Sequence, residues 1–212
     1  QLGLADVFDE LIANGQAQPF IVVFVEGEGS YYFNHQDGPA WGDYVARDVV
    51  QYIDATERTL PDPASRAIGG LSMGGLGALQ LGLNYPDVFG IIGAHGPALW
   101  AADEHPDVLG SPDYYAQYDP RELARTAGRQ PLAAWLDVPS QDPWLDRDNE
   151  LRQTFEDRGW PLVFEIYEGE HKSEYWYSHI PDYLAFYSEN LSFGSVATIG
   201  GTGQTTVQSE SR

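Results

Sequence analysis

The feature that most constrains the fold is a serine between two glycines, placed where a predicted strand meets a predicted helix. Residues 66–71 form a short, largely apolar run, and the small-residue segment 73–83 has the composition of a helix packed closely on a sheet. Gly70, Ser72 and Gly74 give the pattern G-x-S-x-G at the junction. Residues without side chains on either flank permit the chain to double back sharply. The pattern therefore predicts a strand, a tight turn and a helix, with the Ser72 hydroxyl projecting above the sheet.

Helical and strand patterns alternate along the rest of the chain. Helices are predicted at residues 2–12, 40–59, 73–83, 121–126, 146–158 and 175–191, the last interrupted near Pro181. Strands are predicted at residues 20–25, 66–71, 89–94, 131–138 and 162–167. The run at 20–25 is continuously apolar and rich in Val, Ile and Phe, which is typical of a strand buried on both faces of a parallel sheet. The alternation predicts an α/β fold with a mostly parallel sheet flanked by helices.

The composition of successive segments divides the chain into a body and a tail. Residues 1–191 are predicted to form one domain, within which an insertion at 97–130, rich in Pro and aromatic residues, is placed to cover a site. Residues 192–212 contain mainly Gly, Ser and Thr with isolated apolar residues. That composition predicts a flexible tail.

The charge balance excludes two classes of partner. The chain has 32 Asp and Glu against 11 Lys and Arg, a formal net charge of −21. Such a surface repels the phosphates of nucleic acids and the anionic headgroups of membranes. The apolar run at 20–25 is also far shorter than the roughly 20 residues that span a bilayer. We therefore expect no nucleic-acid or membrane partner. The oligomeric state and the compartment are not indicated by the sequence. Any targeting signal is expected upstream of residue 1.

The chain contains no cysteine, which excludes thiolate nucleophiles, disulfides and zinc sites built on cysteine. No cluster of histidines and carboxylates has the spacing of metal ligands. We therefore expect neither a metal nor another cofactor.

Ser72 needs a base, because a serine hydroxyl is a weak nucleophile at neutral pH. In the strand–turn–helix arrangement the nucleophile is followed along the chain by an acid and then by a histidine. His171 follows the predicted strand at 162–167 and is the favoured base. His179 is the reserve, although its place within the closing helix is more typical of packing.

The acid is expected in or after the strand predicted at 131–138, where Asp137 and Asp142 both qualify. Asp137 lies within the strand, so its side chain would point to one face of the sheet. Asp142 lies in the following turn, between Gln141 and Pro143, from which it can reach the histidine. We assign Asp142 and keep Asp137 as the alternative.

Two further features bear on the site. Met73 begins the predicted helix, so its backbone N–H is a candidate donor to an oxyanion. The alternative for the whole junction is a glycine-rich turn with Ser72 as an ordinary N-cap. Trp41, Trp100 and Trp176 are candidates for an aromatic, substrate-binding wall, although aromatic residues beside a core more often serve packing.

Several motifs together resemble the esterase D type of putative esterase. They are the run 19–25 with its Gly-rich loop, Arg47-Asp48, the segment 70–78, the segment 136–142, and Gly169-Glu-His171 followed by Tyr175-Trp176 and Pro181-Asp-Tyr-Leu. This family includes S-formylglutathione hydrolases, feruloyl and acetyl-xylan esterases and mycolyltransferases. The resemblance covers roughly residues 1–191 and implies an α/β-hydrolase fold. It also implies Ser72 as nucleophile, Asp142 as orienting acid and His171 as base.

The sequence departs from the family pattern at its start. Members usually have several strands before the helix with which this chain opens, and the loop after one of them donates the first oxyanion N–H. That strand usually lies between the strand at 20–25 and the nucleophile strand, so we expect an N-terminally truncated fold with a gap in its sheet. Met73 would then be the one assigned oxyanion donor.

The function predicted from these observations is hydrolysis of a small-molecule or carbohydrate-linked carboxylic ester through an acyl-enzyme. Two alternatives stay open. One is a catalytically weak or inactive hydrolase-like module that binds sugars or a partner. The other is an acyltransferase on the same scaffold. The acyl group and the alcohol are not indicated by the sequence.

Overall fold

A computed structural model describes residues 3–194 of the 212-residue chain, so the predicted tail lies almost entirely outside the described residues. The strands are β1 (Ala67–Leu71), β2 (Ile91–His95), β3 (Ala133–Pro139) and β4 (Val163–Tyr167). The helices are α1 (Leu4–Ala13), α2 (Trp41–Asp43), α3 (Val50–Thr56), α4 (Met73–Asn84), α5 (Pro112–Tyr115), α6 (Pro120–Thr126), α7 (Leu145–Asp157) and α8 (Ser173–Asn190). A π-helical segment, Tyr44–Val49, joins α2 to α3, and 3-10 turns cover Pro63–Ser65 and Asp107–Leu109.

The four strands form one parallel sheet in the order β1-β2-β3-β4. This arrangement confirms the predicted α/β class and four of the five predicted strands. The register places Leu71 of β1 opposite His95 of β2, and His95 opposite Asp137 of β3, at the carboxyl end of the sheet. Side chains in register on parallel strands share a face, so the His95 and Asp137 side chains are neighbours.

Helices cover both faces of the sheet. On one face, α4, α6 and α7 pack their apolar residues against Ile92, Ala94, Ala134 and Leu136. On the other face, aromatic residues of α8 pack against Ile91 and Trp135. α1 then packs on the outer side of α8. The predicted helices are thus confirmed, except that the one predicted at 40–59 ends at Thr56 and contains the π-helical segment. Pro112–Tyr115 adds a short helix in the insertion, started by the Ser111 side chain accepting the Tyr114 N–H. Within residues 3–194, no helix is long and apolar enough to cross a membrane.

The predicted strand at 20–25 is wrong. These residues are not hydrogen bonded to another strand, and Phe24 is 76% exposed. A strand is defined by pairing, and among residues 3–194 the free edge of β1 has no strand beside it. The ends of the segment are nevertheless anchored, because Phe20 packs on Phe8 and Val25 packs beside Leu81. An apolar run without a neighbouring backbone therefore stays unpaired.

The predicted interruption of the closing helix near Pro181 is also wrong, because α8 is continuous from Ser173 to Asn190. Proline removes one helical N–H and normally disfavours such continuity. Ile180, Tyr183 and Leu184 on either side of it are buried against the rest of the molecule. Their packing offsets the lost hydrogen bond.

Candidate active site

Ser72 occupies the turn between β1 and α4 in a strained backbone conformation, with φ 52° and ψ −114°. A Cβ on Gly70 would overlap the backbone of Gly74, so the sharp turn requires glycine at position 70. A Cβ on Gly74 would meet nothing within 4 Å. The predicted steric need at both flanking positions therefore holds for Gly70 alone, because position 74 faces open space.

A hydrogen-bonded series links the serine to the two residues favoured by the sequence. The Ser72 Oγ lies 2.7 Å from His171 Nε2, and His171 Nδ1 lies 2.6 Å from Asp142 Oδ2. With Nδ1–H donating to the carboxylate, Nε2 is left to accept the serine proton. The Asp142 side chain is fully buried, whereas the His171 side chain is 19% exposed. The carboxylate is therefore shielded from water while the imidazole faces the solvent side.

The loops that carry the acid and the base are fastened to each other. Asp142 lies three residues beyond β3, and His171 lies four residues beyond β4. The Ser140 N–H donates to the Tyr167 carbonyl at 2.8 Å, and the Gln141 N–H donates to the Gly169 carbonyl at 3.0 Å. Asp142 Oδ1 also accepts the Trp144 N–H at 2.9 Å. These bonds fix the separation between the carboxylate and the imidazole.

The alternative acid and base lie elsewhere. Asp137 is fully buried within β3, where its Oδ1 accepts from Nδ1 of His95 rather than from His171. His179 is stacked on Tyr167 with ring centroids 4.2 Å apart, within α8. Neither alternative contacts Ser72 in the described part of the chain.

Met73 is the first residue of α4, so its N–H has no acceptor within the helix. The helix dipole adds partial positive charge at this end. The Gly-rich loop is a poorer source of oxyanion donors, because the Gly27 and Glu28 N–H groups both donate to Glu26 Oε1 at 3.0 Å. The geometry leaves the Met73 N–H as the candidate oxyanion donor among these groups.

The three predicted tryptophans occupy different places. Trp176 lies edge-on to His171 at 4.8 Å between ring centroids and is buried. Trp100 packs on Trp144 at 5.0 Å, and Trp144 in turn lies edge-on to His171 at 4.9 Å. Trp41 packs on Tyr44 instead, away from these rings.

Trp144 was missed by the sequence reasoning. It is half-buried, contacts the imidazole directly and stands two residues after the acid. Its position beside Asp142 in the chain was the signal that could have identified it.

A third buried carboxyl lies near the two aspartates. Asp148, in the first half of α7, is fully buried, and neither of its carboxylate oxygens has a hydrogen-bond partner in the described chain. Burial raises the pKa of this carboxyl well above its ordinary value, and the negative charges of Asp142 and Asp137 raise it further. A carboxyl in such a place favours its neutral form.

A serine on a strand–turn–helix junction, joined through a histidine to an aspartate above a parallel sheet, defines an α/β hydrolase. The model of the putative esterase family matches residues 1–187. The chain belongs to the putative esterase family. The resemblance that the motifs predicted is thereby confirmed, as is the carboxylesterase-type hydrolase class at the level of the family.

Individual relatives agree with this assignment. The acetyl esterase of Caldicellulosiruptor saccharolyticus is 27% identical over 201 residues, covering 80% of this chain and 72% of that protein. A solved ferulic acid esterase is 26% identical with a TM-score of 0.76, and the match covers 90% of this chain and 78% of that one. An uncharacterised protein of Corynebacterium glutamicum is 32% identical over 117 residues. That last match covers 50% of this chain and only 28% of the relative's length.

Proposed function

We propose that this chain hydrolyses carboxylic esters through an acyl-enzyme on Ser72, with His171 as general base and acid and Asp142 as the orienting carboxylate. The observation that carries the proposal is the continuous series from Ser72 Oγ to His171 Nε2, 2.7 Å, and from His171 Nδ1 to Asp142 Oδ2, 2.6 Å. The first distance is within reach for proton transfer from the nucleophile to its base, and the second is within hydrogen-bond reach for the carboxylate that orients the base.

The reaction proceeds in two halves. Ser72 Oγ attacks the ester carbonyl carbon while its proton passes to His171 Nε2, and Asp142 stabilises the resulting imidazolium. The Met73 N–H donates to the oxyanion of the tetrahedral intermediate. His171 then gives its proton to the departing alkoxide, leaving an acyl group on Ser72. Water, deprotonated by His171, attacks that acyl group and regenerates the serine.

The acyl group is proposed to lie beside Trp144. Relatives include an acetyl esterase and a ferulic acid esterase, so acetyl and hydroxycinnamoyl esters are the two classes to compare. The half-buried Trp144 ring stands next to His171 and presents a flat apolar surface to an acyl chain. Replacing Trp144 with Ala is expected to raise KM for methyl ferulate several-fold more than KM for p-nitrophenyl acetate.

The test of the proposal combines turnover with covalent labelling. The folded protein is expected to release p-nitrophenol from p-nitrophenyl acetate and to be labelled on Ser72 by a fluorophosphonate. Ser72→Ala should abolish labelling and lower kcat by about 10⁶-fold. Ser65→Ala is the matched control, because this serine is half-buried and its hydroxyl donates to the Ser192 carbonyl instead of a histidine. A folded wild-type protein with neither turnover nor labelling would overturn the proposal.

An assay with an added alcohol distinguishes hydrolysis from acyl transfer. If water is the normal acceptor, glycerol or a sugar added at millimolar concentration leaves the free acid as the main product. A new ester as the main product would replace hydrolysis by acyl transfer on the same residues.

A further inference from the structure

A second histidine–aspartate pair lies beneath the proposed active site and has no part in the proposed reaction. Asp137 is fully buried, and both of its oxygens have hydrogen-bond donors. His95 Nδ1 donates to Oδ1, while the Tyr175 and Tyr183 hydroxyls donate to Oδ2 at 2.7 and 3.1 Å. The Tyr187 hydroxyl lies 3.2 Å from His95 Nε2. These five residues are called the His95 network.

The sheet is shaped to admit this network. Gly69 of β1 and Gly93 of β2 lie opposite each other in register. A Cβ on either glycine would overlap the Tyr187 hydroxyl. The paired glycines therefore leave the space through which Tyr187 reaches His95 from α8. The Tyr183 ring completes the enclosure by stacking on the His95 ring, with centroids 3.6 Å apart.

The tyrosines of the network remain proton donors. Burial raises the pKa of the Tyr175 and Tyr183 hydroxyls well above the ordinary value, and the charge of Asp137 raises it further. The network accordingly holds one buried carboxylate with three donors, and the donors come from β2 and α8. It fastens α8 to the centre of the sheet.

The backbone of His95 connects this network to the nucleophile by a hydrogen bond. The His95 carbonyl accepts the Ser72 N–H at 3.0 Å, and Ala98 N–H, three residues further along, donates to the Ser72 carbonyl at 3.1 Å. The N–H and the carbonyl of the strained Ser72 are thus held by the last residue of β2 and by the segment that follows it. A displacement of His95 would be passed directly to the turn.

The His95 carbonyl is also connected to the base, through Trp176. It accepts the Trp176 Nε1–H at 2.9 Å, and the Trp176 ring packs against His171. Tyr175, which donates to Asp137, is the residue before Trp176 on α8. One carbonyl oxygen therefore joins the nucleophile turn to the ring beside the base.

We propose that the His95 network is a positioning device that holds the Ser72 turn and the His171 imidazole in the geometry for acyl transfer. This inference rests on the proposed function. None of the five residues touches the reacting atoms, so they act through the His95 backbone and Trp176. A merely structural role would instead contribute to the stability of the fold and leave the turn unchanged in the folded protein.

The test removes single hydroxyls. Tyr175→Phe and Tyr183→Phe each delete one donor to Asp137 with little change in volume, and the double variant leaves Oδ2 without a donor. Tyr85→Phe is the matched control, because its hydroxyl also donates to a carboxylate, Asp43 Oδ1 at 2.8 Å, outside the network. Assays are made well below each unfolding temperature, so that only folded protein is compared.

Two readouts are followed in parallel. The network variants are expected to lower kcat for p-nitrophenyl acetate by about 10-fold while KM stays within about 2-fold, as loss of positioning does. Amide hydrogen exchange of the peptide covering residues 70–76 should become faster, because the Ser72 N–H is held less firmly by the His95 carbonyl. Tyr85→Phe should change neither quantity.

The outcomes separate this inference from the proposed function. Unchanged kcat and unchanged exchange in both single variants, with active wild type, would overturn the positioning role and leave the esterase proposal intact. Equal losses in the control variant would also overturn it. If the wild type is inactive, the proposed function is refuted. Faster amide exchange at residues 70–76 in Tyr175→Phe would then still support the inference that the network positions the Ser72 turn.

Discussion

Two histidine–aspartate pairs at the same end of the sheet have opposite surroundings. In each pair the histidine Nδ1 faces an aspartate oxygen, so the pairs are chemically alike. Asp142 and His171 lie on loops beyond the strand ends, and the His171 side chain is 19% exposed. Asp137 and His95 lie within the strands, and the His95 side chain is 2% exposed.

The difference lies in what the second ring nitrogen faces. His171 Nε2 faces the Ser72 hydroxyl, and both residues are partly exposed. His95 Nε2 faces the hydroxyl of Tyr187, which lies between α8 and the glycines of β1 and β2. The same two side chains thus suit proton transfer on a loop and fixed anchoring within a sheet. Position relative to the strand end separates the two proposed roles.

The largest expected difference between the pairs is in turnover. Asp142→Asn should lower kcat by about 10⁴-fold, because an amide favours the wrong tautomer of His171 and does not stabilise the imidazolium. Asp137→Asn should lower kcat only by about 10-fold, through positioning. Steady-state turnover of p-nitrophenyl acetate measures both. Equal losses in the two variants would remove the distinction between the pairs.

The second expected difference is in stability, with the order reversed. Asp137→Ala leaves His95 and two tyrosine hydroxyls without their acceptor in the core, and removing one partner of a buried pair costs about 3–5 kcal/mol. For a chain of this size that lowers Tm by about 6–20 °C. Asp142→Ala should have a smaller effect, because His171 can turn to water. Urea unfolding of both variants checks this order, and a larger loss for Asp142→Ala would contradict it.

The positions of the two pairs were only partly predictable from the sequence. The G-x-S-x-G pattern and the loops after β3 and β4 indicated Ser72, Asp142 and His171, because residues at strand ends meet at one edge of a parallel sheet. His95 precedes the acid in the chain, so the expected order of serine, acid and histidine did not indicate it. Its partnership with Asp137 depends on the register between β2 and β3, which hydropathy in one strand does not contain.

The segment at 20–25 shows a related limit. Hydropathy indicates that a run is suited to burial, whereas a strand also needs a neighbouring backbone to pair with. The pattern was therefore typical of a strand in a region where the structure has no pairing. By contrast, β1 and α4 were predicted well, because the glycine turn between them constrains the backbone locally.

A third carboxyl, Asp148, sharpens the comparison because neither of its oxygens has a hydrogen-bond partner among residues 3–194. Its pKa is raised in the folded protein by burial and by the nearby Asp142 and Asp137. A raised carboxyl pKa means that the favourable contribution is present at low pH and is lost as the pH rises through the folded-state value. Asp148→Asn should therefore stabilise the protein by about 1–3 kcal/mol at pH 8. The gain should fall towards zero only below about pH 4, near the pKa of an unfolded aspartate.

Thermal or urea unfolding from about pH 4 to pH 8 measures the Asp148 effect. Asp146→Asn is the matched control, because Asp146 is exposed in the first turn of the same helix. A pH-independent difference for Asp148→Asn, or the same pH dependence in the control, would show that Asp148 ionises as an ordinary surface carboxyl does.

The smallest expected effect belongs to His179, the reserve base. Its ring is stacked on Tyr167, and its Nδ1 lies 3.3 Å from Asp182 on the exposed side of α8. Like His171 it has an aspartate near Nδ1, but it does not reach Ser72. His179→Gln should therefore leave kcat within about 2-fold of wild type, whereas His171→Gln should lower it by about 10⁴-fold or more. A loss of the same size in both variants would mean that an aspartate neighbour alone identifies the base, and that the 2.7 Å contact between Ser72 Oγ and His171 Nε2 does not.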